Sequence, residues 1–375
     1  MKKHYPIPNV LLYALAVFFT ASALLLPCRY SLTAAAQAAP EKVILDTDMV
    51  DLFDDGMAML MLAKSEKIDL LGVTCVAGNS WVESGVASAL RQLELAGITD
   101  VPVYIGINET TRPDRAENIQ GEFEQFGRGT SQFVGSFDLS KPADWQSAYR
   151  AQYGTGPTMQ PASEAAADFI IRTVKENPGE VTIAAIGPCM NLAAAVQGAP
   201  EIVPLIKQVI YMGGAFFVPG RVTPAAEFNI WYDPESAKTS FRSSFSKQIV
   251  VPLDVTDKVL FDREHEERVT SLFGQTPFFE LWNRSWIAQG FAEEKDFSTC
   301  IWDVLVAAIL IDPDCVTGSE EYFVDVNDSY SLSYGETLAY PVNGPAGTQK
   351  AEIVLDVNQE KIWDLVDQTI RQLAK

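Results

Sequence analysis

Six short runs of apolar residues recur along the chain, separated by turn-forming residues and by helical patterns. They are apolar at nearly every position, as expected for strands that are covered on both faces of a parallel sheet. Strands that alternate with helices predict a doubly wound α/β fold, a single domain with a mostly parallel sheet and helices on both faces. The predicted strands lie near 42–47, 70–77, 101–105, 181–186, 208–212 and 248–254.

Two helices can be predicted with both of their ends. One spans 163–176, where Ser163 favours a start and Asn177-Pro178-Gly179 a stop, and the other is an amphipathic helix over 359–374 that closes the chain. Residues 107–160 interrupt the alternation, because they are rich in Gly, Gln, Asp and aromatic residues with little periodicity. We interpret this segment as an irregular insertion, either a surface decoration or a lid over the site.

The N-terminus has the pattern of a secretory signal. Lys2 and Lys3 precede an apolar run from 10 to 26, and Ala36-Gln37-Ala38 is a small-x-small cleavage site. We therefore expect a signal peptide over 1–38, a catalytic domain over 39–375, and an exported protein, periplasmic or secreted, with no membrane anchor after cleavage. A retained membrane anchor and a lipid-modified Cys28 are the alternatives.

The acidic balance of the chain limits its partners. The formal net charge is −21, and loss of the signal would remove three cations and no acid. Such a surface repels polyphosphates, which argues against nucleic acid or an anionic membrane and favours a small neutral substrate held through a cation. Cys300 and Cys315 could pair in an oxidising compartment, and the sequence leaves that question open.

Five aspartates lie at and just after the end of the first predicted strand, within ten residues: Asp46, Asp48, Asp51, Asp54 and Asp55. Carboxylates crowded at the end of a buried strand repel one another unless a cation neutralises them. Oxygen ligands without Cys or His select Ca²⁺ or Mg²⁺. Two alternatives remain: an acidic turn in which one aspartate caps the next helix, and the D-x-D-x-[TV] opening of haloacid dehalogenase-like phosphatases, with Asp46 as nucleophile and Asp48 as general acid.

Taken in order, several motifs resemble the inosine-uridine nucleoside hydrolase family. The resemblance runs from about 42 to 316, nearly the whole chain after the signal. The motifs are Asp46-Thr-Asp48 with Asp54-Asp55, Gly78-Asn79, Gly187-Pro-Cys-Met190-Asn191, Met212-Gly-Gly, and Ala226-Glu227-Phe228-Asn229. Five motifs in register make the resemblance specific.

The resemblance implies a calcium site. Asp48 would be general base and metal ligand, Asp55 a bidentate ligand, the backbone carbonyl of Met190 a third ligand and Asp303 the last one from the protein. Asp46 would support these ligands from behind.

It also implies a small-molecule ribonucleoside as substrate, cleaved at its N-glycosidic bond through an oxocarbenium-like centre. Asp54 would bind a ribose hydroxyl. The remaining substrate-binding positions would be Asn79, Glu227, Phe228, Asn229, Trp302 and Trp81. A non-catalytic nucleoside-binding protein is the alternative, although it would not need Asp48 as a base. Homodimer and homotetramer both remain open.

Three departures from the family pattern stand out. The aspartate loop reads Val50-Asp51-Leu52, where relatives often have Gly-Asn-Asp, so the direction of Asp51 is undecided. Arg221 replaces a common asparagine that contacts the 5′ hydroxyl. Trp302 occupies the place of a histidine that protonates the leaving base in pyrimidine-tolerant relatives, and we therefore expect a preference for purine ribosides.

Overall fold

The computed structural model describes residues 39–375, and the predicted signal peptide lies outside this range. Twelve strands occur in the described part. They are β1 (Glu41–Thr47), β2 (Ile68–Cys75), β3 (Val103–Ile105), β4 (Ala162–Ala165), β5 (Val181–Ala185), β6 (Gln208–Met212), β7 (Gln248–Val251), β8 (Leu260–Phe261), β9 (Thr299–Cys300), β10 (Val316–Val326), β11 (Thr337–Tyr340) and β12 (Gln349–Val357).

Ten of these strands form one sheet, in the order β11-β10-β12-β7-β6-β5-β1-β2-β3-β4. Neighbours from β12 to β4 pair in parallel, whereas β10 pairs antiparallel with β11 and β12. The chain runs outward from β1 in one direction through β2, β3 and β4, and then resumes at β5 on the other side. The order therefore reverses between β1 and β5, where open α/β sheets bind their ligands.

Fourteen α-helices occur in residues 39–375. They are α1 (Asp55–Lys64), α2 (Val82–Leu95), α3 (Arg115–Phe126), α4 (Trp145–Tyr153), α5 (Ala166–Glu176), α6 (Met190–Gly198), α7 (Phe228–Tyr232), α8 (Pro234–Phe241), α9 (Leu253–Thr256), α10 (Arg263–Phe273), α11 (Phe279–Arg284), α12 (Trp286–Glu293), α13 (Asp303–Ile311) and α14 (Gln359–Leu373).

The sheet is covered on both faces, as predicted. Alternate residues of β1 enter different cores: Val43 and Leu45 pack with residues of α1, α2, α13 and α14, whereas Ile44 packs with residues of α5, α6 and α8. Because successive side chains of a strand point to opposite faces, a strand between two cores must be apolar throughout. This explains the continuous apolar runs of the sequence and confirms the predicted fold class.

Some element boundaries differ from the prediction. Ser163 does not open a helix, because 162–165 pairs with β3 as an edge strand and α5 begins at Ala166. The antiparallel strands β10 to β12 were not predicted, since β10 is half exposed and carries acidic residues that break its apolar pattern. Residues 107–160 contain two regular helices, α3 and α4.

The described part of the chain contains no helix that is both long and apolar enough to cross a membrane. Its four cysteines are buried free thiols, so Cys300 and Cys315 are not bridged in this structure.

Candidate active site

The turns that follow three neighbouring strands meet at Asp48. It follows β1, Gly78 follows β2, and Gly187 follows β5. A Cβ on Gly78 would lie 2.2 Å from Oδ2 of Asp48, and one on Gly187 would lie 2.7 Å from its backbone nitrogen. Any side chain at these glycines would therefore displace Asp48, which gives a physical reason for glycine in both motifs.

Asp48 and Asp55 form a buried pair of carboxylates. Asp48 Oδ2 accepts the backbone N–H of Asn79 at 2.7 Å, and its Oδ1 is buried without a hydrogen-bond partner among residues 39–375. Asp55 accepts hydrogen bonds from Thr47 Oγ1 at 2.5 Å and Asn79 Nδ2 at 3.1 Å. Burial and the charge of Asp55 raise the pKa of Asp48 well above its ordinary value. The pair thus lacks a neutralising partner.

Asp54 has a structural bond that the sequence analysis did not foresee. Its carboxylate accepts the backbone N–H groups of Trp302, Asp303 and Val304 at 2.5, 2.8 and 3.1 Å. These N–H groups lie at the start of α13, where the helix itself provides no carbonyl oxygen to accept them. Although Asp54 precedes α1, it caps α13 and makes no side-chain cap bond to α1. Burial raises its pKa to about 7.

Asp303 is brought to the same cluster as the first residue of α13. Its pKa is raised well above the ordinary value by burial and by the charges of Asp54, Asp55 and Asp48. Asp303 comes from a distant part of the chain, and the bond from Asp54 to its backbone nitrogen fixes the start of its helix. The cap therefore also places the third carboxylate.

Asp46, the predicted supporting residue, is buried near the end of β1. Its Oδ1 accepts hydrogen bonds from Thr74 Oγ1 at 2.6 Å and Asn191 Nδ2 at 2.8 Å. Burial raises its pKa to about 6. Met190 is the first residue of α6 and is buried in the core.

Glu227 and Asn229 are also held at the site by hydrogen bonds. The Glu227 carboxylate accepts N–H groups from Gly214, Asn229 and Ile230 at 2.9, 2.8 and 3.1 Å, so it caps α7. Burial raises the pKa of Glu227 to about 7 against these bonds. Asn229 Nδ2 donates to the carbonyl oxygens of Ile186 and Met212 at 2.8 and 3.1 Å, so its side-chain position is set by the ends of β5 and β6.

A cavity of about 550 Å³ opens above these groups. Eight of the predicted site residues line it: Asp54, Asp55, Asn79, Glu227, Phe228, Asn229, Trp302 and Asp303. Asp48, Asp46 and Met190 lie outside its lining. The cavity thus has a polar floor at the strand ends.

Trp81 is the predicted substrate contact that the structure places elsewhere. Its indole Nε1 donates to the carbonyl of Leu139 at 2.8 Å, and Trp81 is absent from the cavity wall. Trp81 is the residue just before α2, and its ring lies against Leu139 and Lys141 of the 107–160 segment. Trp81 therefore does not line this cavity, and its contact with the substrate stays a prediction.

The outer wall contains residues that the sequence analysis missed. Ser131 and Phe133 come from the 107–160 segment, and Trp286 from the start of α12. Phe133 packs on Phe228 with ring centroids 5.3 Å apart. The aromatic content of 107–160 was the available signal for Phe133, whereas nothing in the pattern around Trp286 distinguishes it from a surface residue.

Arg221 lines the same wall, and its charge is already paired. It forms a salt bridge of 2.8 Å with Asp257 and donates to Cys300 Sγ at 3.3 Å. Its guanidinium carbon lies 5.5 Å from the ring centroid of Trp302. Arg221 therefore packs against one side of the Trp302 ring.

The donors at the floor suit a hard divalent cation. No group of three or more His, Cys, Asp or Glu side chains within residues 39–375 is arranged closely enough to hold a metal ion. An ion would therefore have to draw the carboxylates of Asp48, Asp55 and Asp303 closer together, and Ca²⁺ also accepts the carbonyl, hydroxyl and water oxygens that would complete its shell. Oδ1 of Asp48, beside Asp55, is buried without a hydrogen-bond partner among the described residues, and a positive neighbour would stabilise it.

Comparison with known proteins gives a consistent result. The family described as inosine-uridine preferring nucleoside hydrolase matches residues 43–364. The chain is 29% identical over 342 residues to the pyrimidine-specific ribonucleoside hydrolase RihB of Escherichia coli, covering 89% of this chain and 98% of that one.

Two solved structures share the fold. The plant nucleoside hydrolase PpNRh1 has a TM-score of 0.71 at 26% identity, covering 88% of this chain and 99% of that chain. The purine-preferring ribonucleoside hydrolase of Gardnerella vaginalis has a TM-score of 0.70 at 26% identity, covering 89% and 99%. With the family match over most of its length, the chain belongs to the inosine-uridine preferring nucleoside hydrolase family and is a nucleoside hydrolase.

Proposed function

We propose that this enzyme hydrolyses purine ribonucleosides in a Ca²⁺-dependent reaction, with Asp48 as the general base. In this proposal a water molecule adds to C1′ of the ribose and gives its proton to Asp48. The bond between C1′ and the base nitrogen breaks, its electron pair stays on the base, and the base takes a proton from solvent. The products are ribose and free base.

The observation that carries the calcium proposal is the buried, unpartnered carboxylate oxygen of Asp48 beside Asp55. Asp48, Asp55, Asp303 and the carbonyl of Met190 would hold the ion. Bound Ca²⁺ would supply positive charge for the ribose hydroxyls and the attacking water. The raised pKa values mean that it costs free energy to ionise these buried carboxylates when no ion is bound. A bound divalent cation would remove most of that free-energy cost.

The chain's own side chains would orient the sugar. Asn79, Glu227 and Asn229 line the polar floor of the cavity, and each is itself held by hydrogen bonds to neighbouring groups. Side chains that are fixed before the substrate arrives do not lose conformational freedom on binding. Asp54 lines the floor too, and its remaining acceptor capacity would suit a ribose hydroxyl.

The purine preference rests on the outer half of the cavity, where the base would lie. Phe133, Phe228, Trp286 and Trp302 supply aromatic surface there, and no histidine from residues 39–375 lines the cavity. The one histidine of the described part, His265 in α10, stacks on Trp363, with the ring centroids 4.0 Å apart. A large base gains more from aromatic stacking than a small one. The relatives do not decide the matter, since one is pyrimidine-specific and another purine-preferring.

Steady-state kinetics on the mature protein would test the proposal. We expect inosine, adenosine or guanosine to exceed uridine in kcat/KM, with turnover lost in chelator and restored by Ca²⁺. A protein that binds inosine without turnover would instead be a nucleoside receptor. Turnover that survives exhaustive chelation would remove the calcium dependence, and a higher kcat/KM for uridine would remove the purine preference.

We further propose that the protein is exported, either to the periplasm or to the medium, after cleavage behind Ala38. The support is the basic start, the apolar run and the small-x-small site of residues 1–38.

A further inference from the structure

The loop from Val50 to Phe53 connects the two halves of the carboxylate pair, and its backbone is strained. Leu52 and Phe53 have φ values of 33° and 30°. Residues with bulky side chains rarely adopt this left-handed region, because it raises the free energy of the backbone. Such angles persist only where the surrounding structure enforces them. The neighbours of this loop must therefore hold it in place.

One restraint comes from α2. The Gln92 carboxamide oxygen accepts the backbone N–H of Leu52 at 3.2 Å, and its Nε2 donates to the carbonyl of Val50 at 3.3 Å. Gln92 is completely buried. This side chain therefore replaces the backbone partners that the loop lacks on that side.

The second restraint on the loop comes from the 107–160 segment. It also shows in which direction the Asp51 side chain points, which the sequence left undecided. The Asp51 carboxylate points toward Tyr153, the last residue of α4, whose hydroxyl donates to its two oxygens at 2.7 and 2.9 Å. The Tyr153 hydroxyl also lies 3.1 Å from Ser88 Oγ. Asp51 is absent from the cavity lining, so it is not placed as a substrate ligand.

Tyr153 is itself held firmly. The guanidinium carbons of Arg91 and Arg284 each lie 5.7 Å from its ring centroid. Arg284 also donates to the carbonyl of Gln152 at 3.0 Å, which ties α11 to the end of α4. Three helices thus fix the hydroxyl that meets Asp51.

We infer that Tyr153 is a positioning residue for the calcium site, acting through Asp51 on the strained loop that joins Asp48 to Asp55. The inference rests on the proposed calcium site. Without the Tyr153 hydroxyl, the loop can relax toward ordinary backbone angles, and Asp55 moves away from Asp48. The affinity for Ca²⁺ then falls, while the chemistry at saturating Ca²⁺ is retained, because Tyr153 touches neither substrate nor ion.

The test is calorimetric titration of the chelator-treated full mature protein with Ca²⁺. We expect Tyr153→Phe to raise the Kd for Ca²⁺ about tenfold and to leave kcat at saturating Ca²⁺ within about twofold. Tyr149→Phe is the matched control, because it removes the same atom from the same helix, where the hydroxyl donates to Glu94 instead. It should leave the Kd unchanged.

Variants of Asp51 separate position from charge. Asp51→Asn keeps an acceptor for Tyr153 and should bind Ca²⁺ nearly as well as the unsubstituted protein. Asp51→Ala should match Tyr153→Phe, and the double variant should be no worse than either, because all three break the same contact. These variants also keep the inference testable if Tyr153→Phe does not fold.

Two results would overturn the inference alone. These are an equal Kd for Tyr153→Phe and Tyr149→Phe, or an Asp51→Asn variant as weak as Asp51→Ala, which would mean that Asp51 acts through its charge. Absence of Ca²⁺ binding by the unsubstituted protein would overturn the proposed metal site itself, and the inference with it.

Discussion

The substitution Asp48→Asn tests the central assignment, because it keeps the size of the side chain and removes its charge. An asparagine oxygen can still accept the Asn79 N–H that Asp48 Oδ2 accepts at 2.7 Å, so the turn after β2 stays in place. The amide nitrogen can donate to the neighbouring Asp55, the group whose charge raises the pKa of Asp48. The substitution therefore exchanges a repulsion for a hydrogen bond.

The expected effects on stability and turnover have opposite signs. Two unit charges 4 Å apart repel by about 4 kcal/mol at an effective dielectric constant of 20. Proton uptake and relaxation relieve part of this in the calcium-free protein, so we expect a gain of about 2 kcal/mol in the free energy of unfolding and a rise in Tm of about 3 °C. Loss of a general base lowers kcat by about 10³-fold.

Calorimetric melting in chelator and inosine hydrolysis in saturating Ca²⁺ measure the two effects. Asp51→Asn serves as the control, since it makes the same chemical change three residues along the loop, where the carboxylate faces Tyr153. A kcat for Asp48→Asn within tenfold of the unsubstituted protein would refute the role of Asp48 as base. A lower Tm in chelator would refute the argument that Asp48 lacks a neutralising partner.

Three further outcomes are expected. Trp302→Ala should lower kcat/KM for inosine about tenfold, as loss of one stacking contact implies. The difference in kcat/KM between inosine and uridine should then become smaller, and an unchanged purine rate would contradict the stacking role. Because burial raises the pKa of Glu227 from 4.5 to about 7, its proton stabilises the folded state and that stability is lost as pH rises toward 7. The Tm of Glu227→Gln should therefore fall less between pH 5 and 7 than that of the unsubstituted protein, and parallel melting curves would argue against the shift. Mass spectrometry of the exported protein should find Ala39 as its first residue, and a lipid-modified Cys28 there would contradict a soluble product.

The sequence determined the fold class and most of the site because both depend on local patterns. Short apolar runs without alternation that are bounded by turn residues favour strands covered on both faces, and the carboxyl ends of parallel strands meet at one edge of the sheet. The aspartates at the end of the first strand were therefore predicted to lie at a ligand site, while Asn79 and Asn229 were implied by the family resemblance. The cavity contains Asp55, Asn79 and Asn229. The weak patterns of the half-exposed strands β10 to β12 carried no comparable signal.

Only the tertiary structure decided which partner each polar group meets. Asp54 caps a helix that starts about 250 residues later, and Asp51 turns away from the cavity toward Tyr153. Trp81 bonds to Leu139, while Phe133 and Trp286 form the outer wall in its place. Strand periodicity fixes which side of a strand a residue faces, but the contacts of loops and helix ends depend on how distant segments pack. No spacing in the chain encodes that packing.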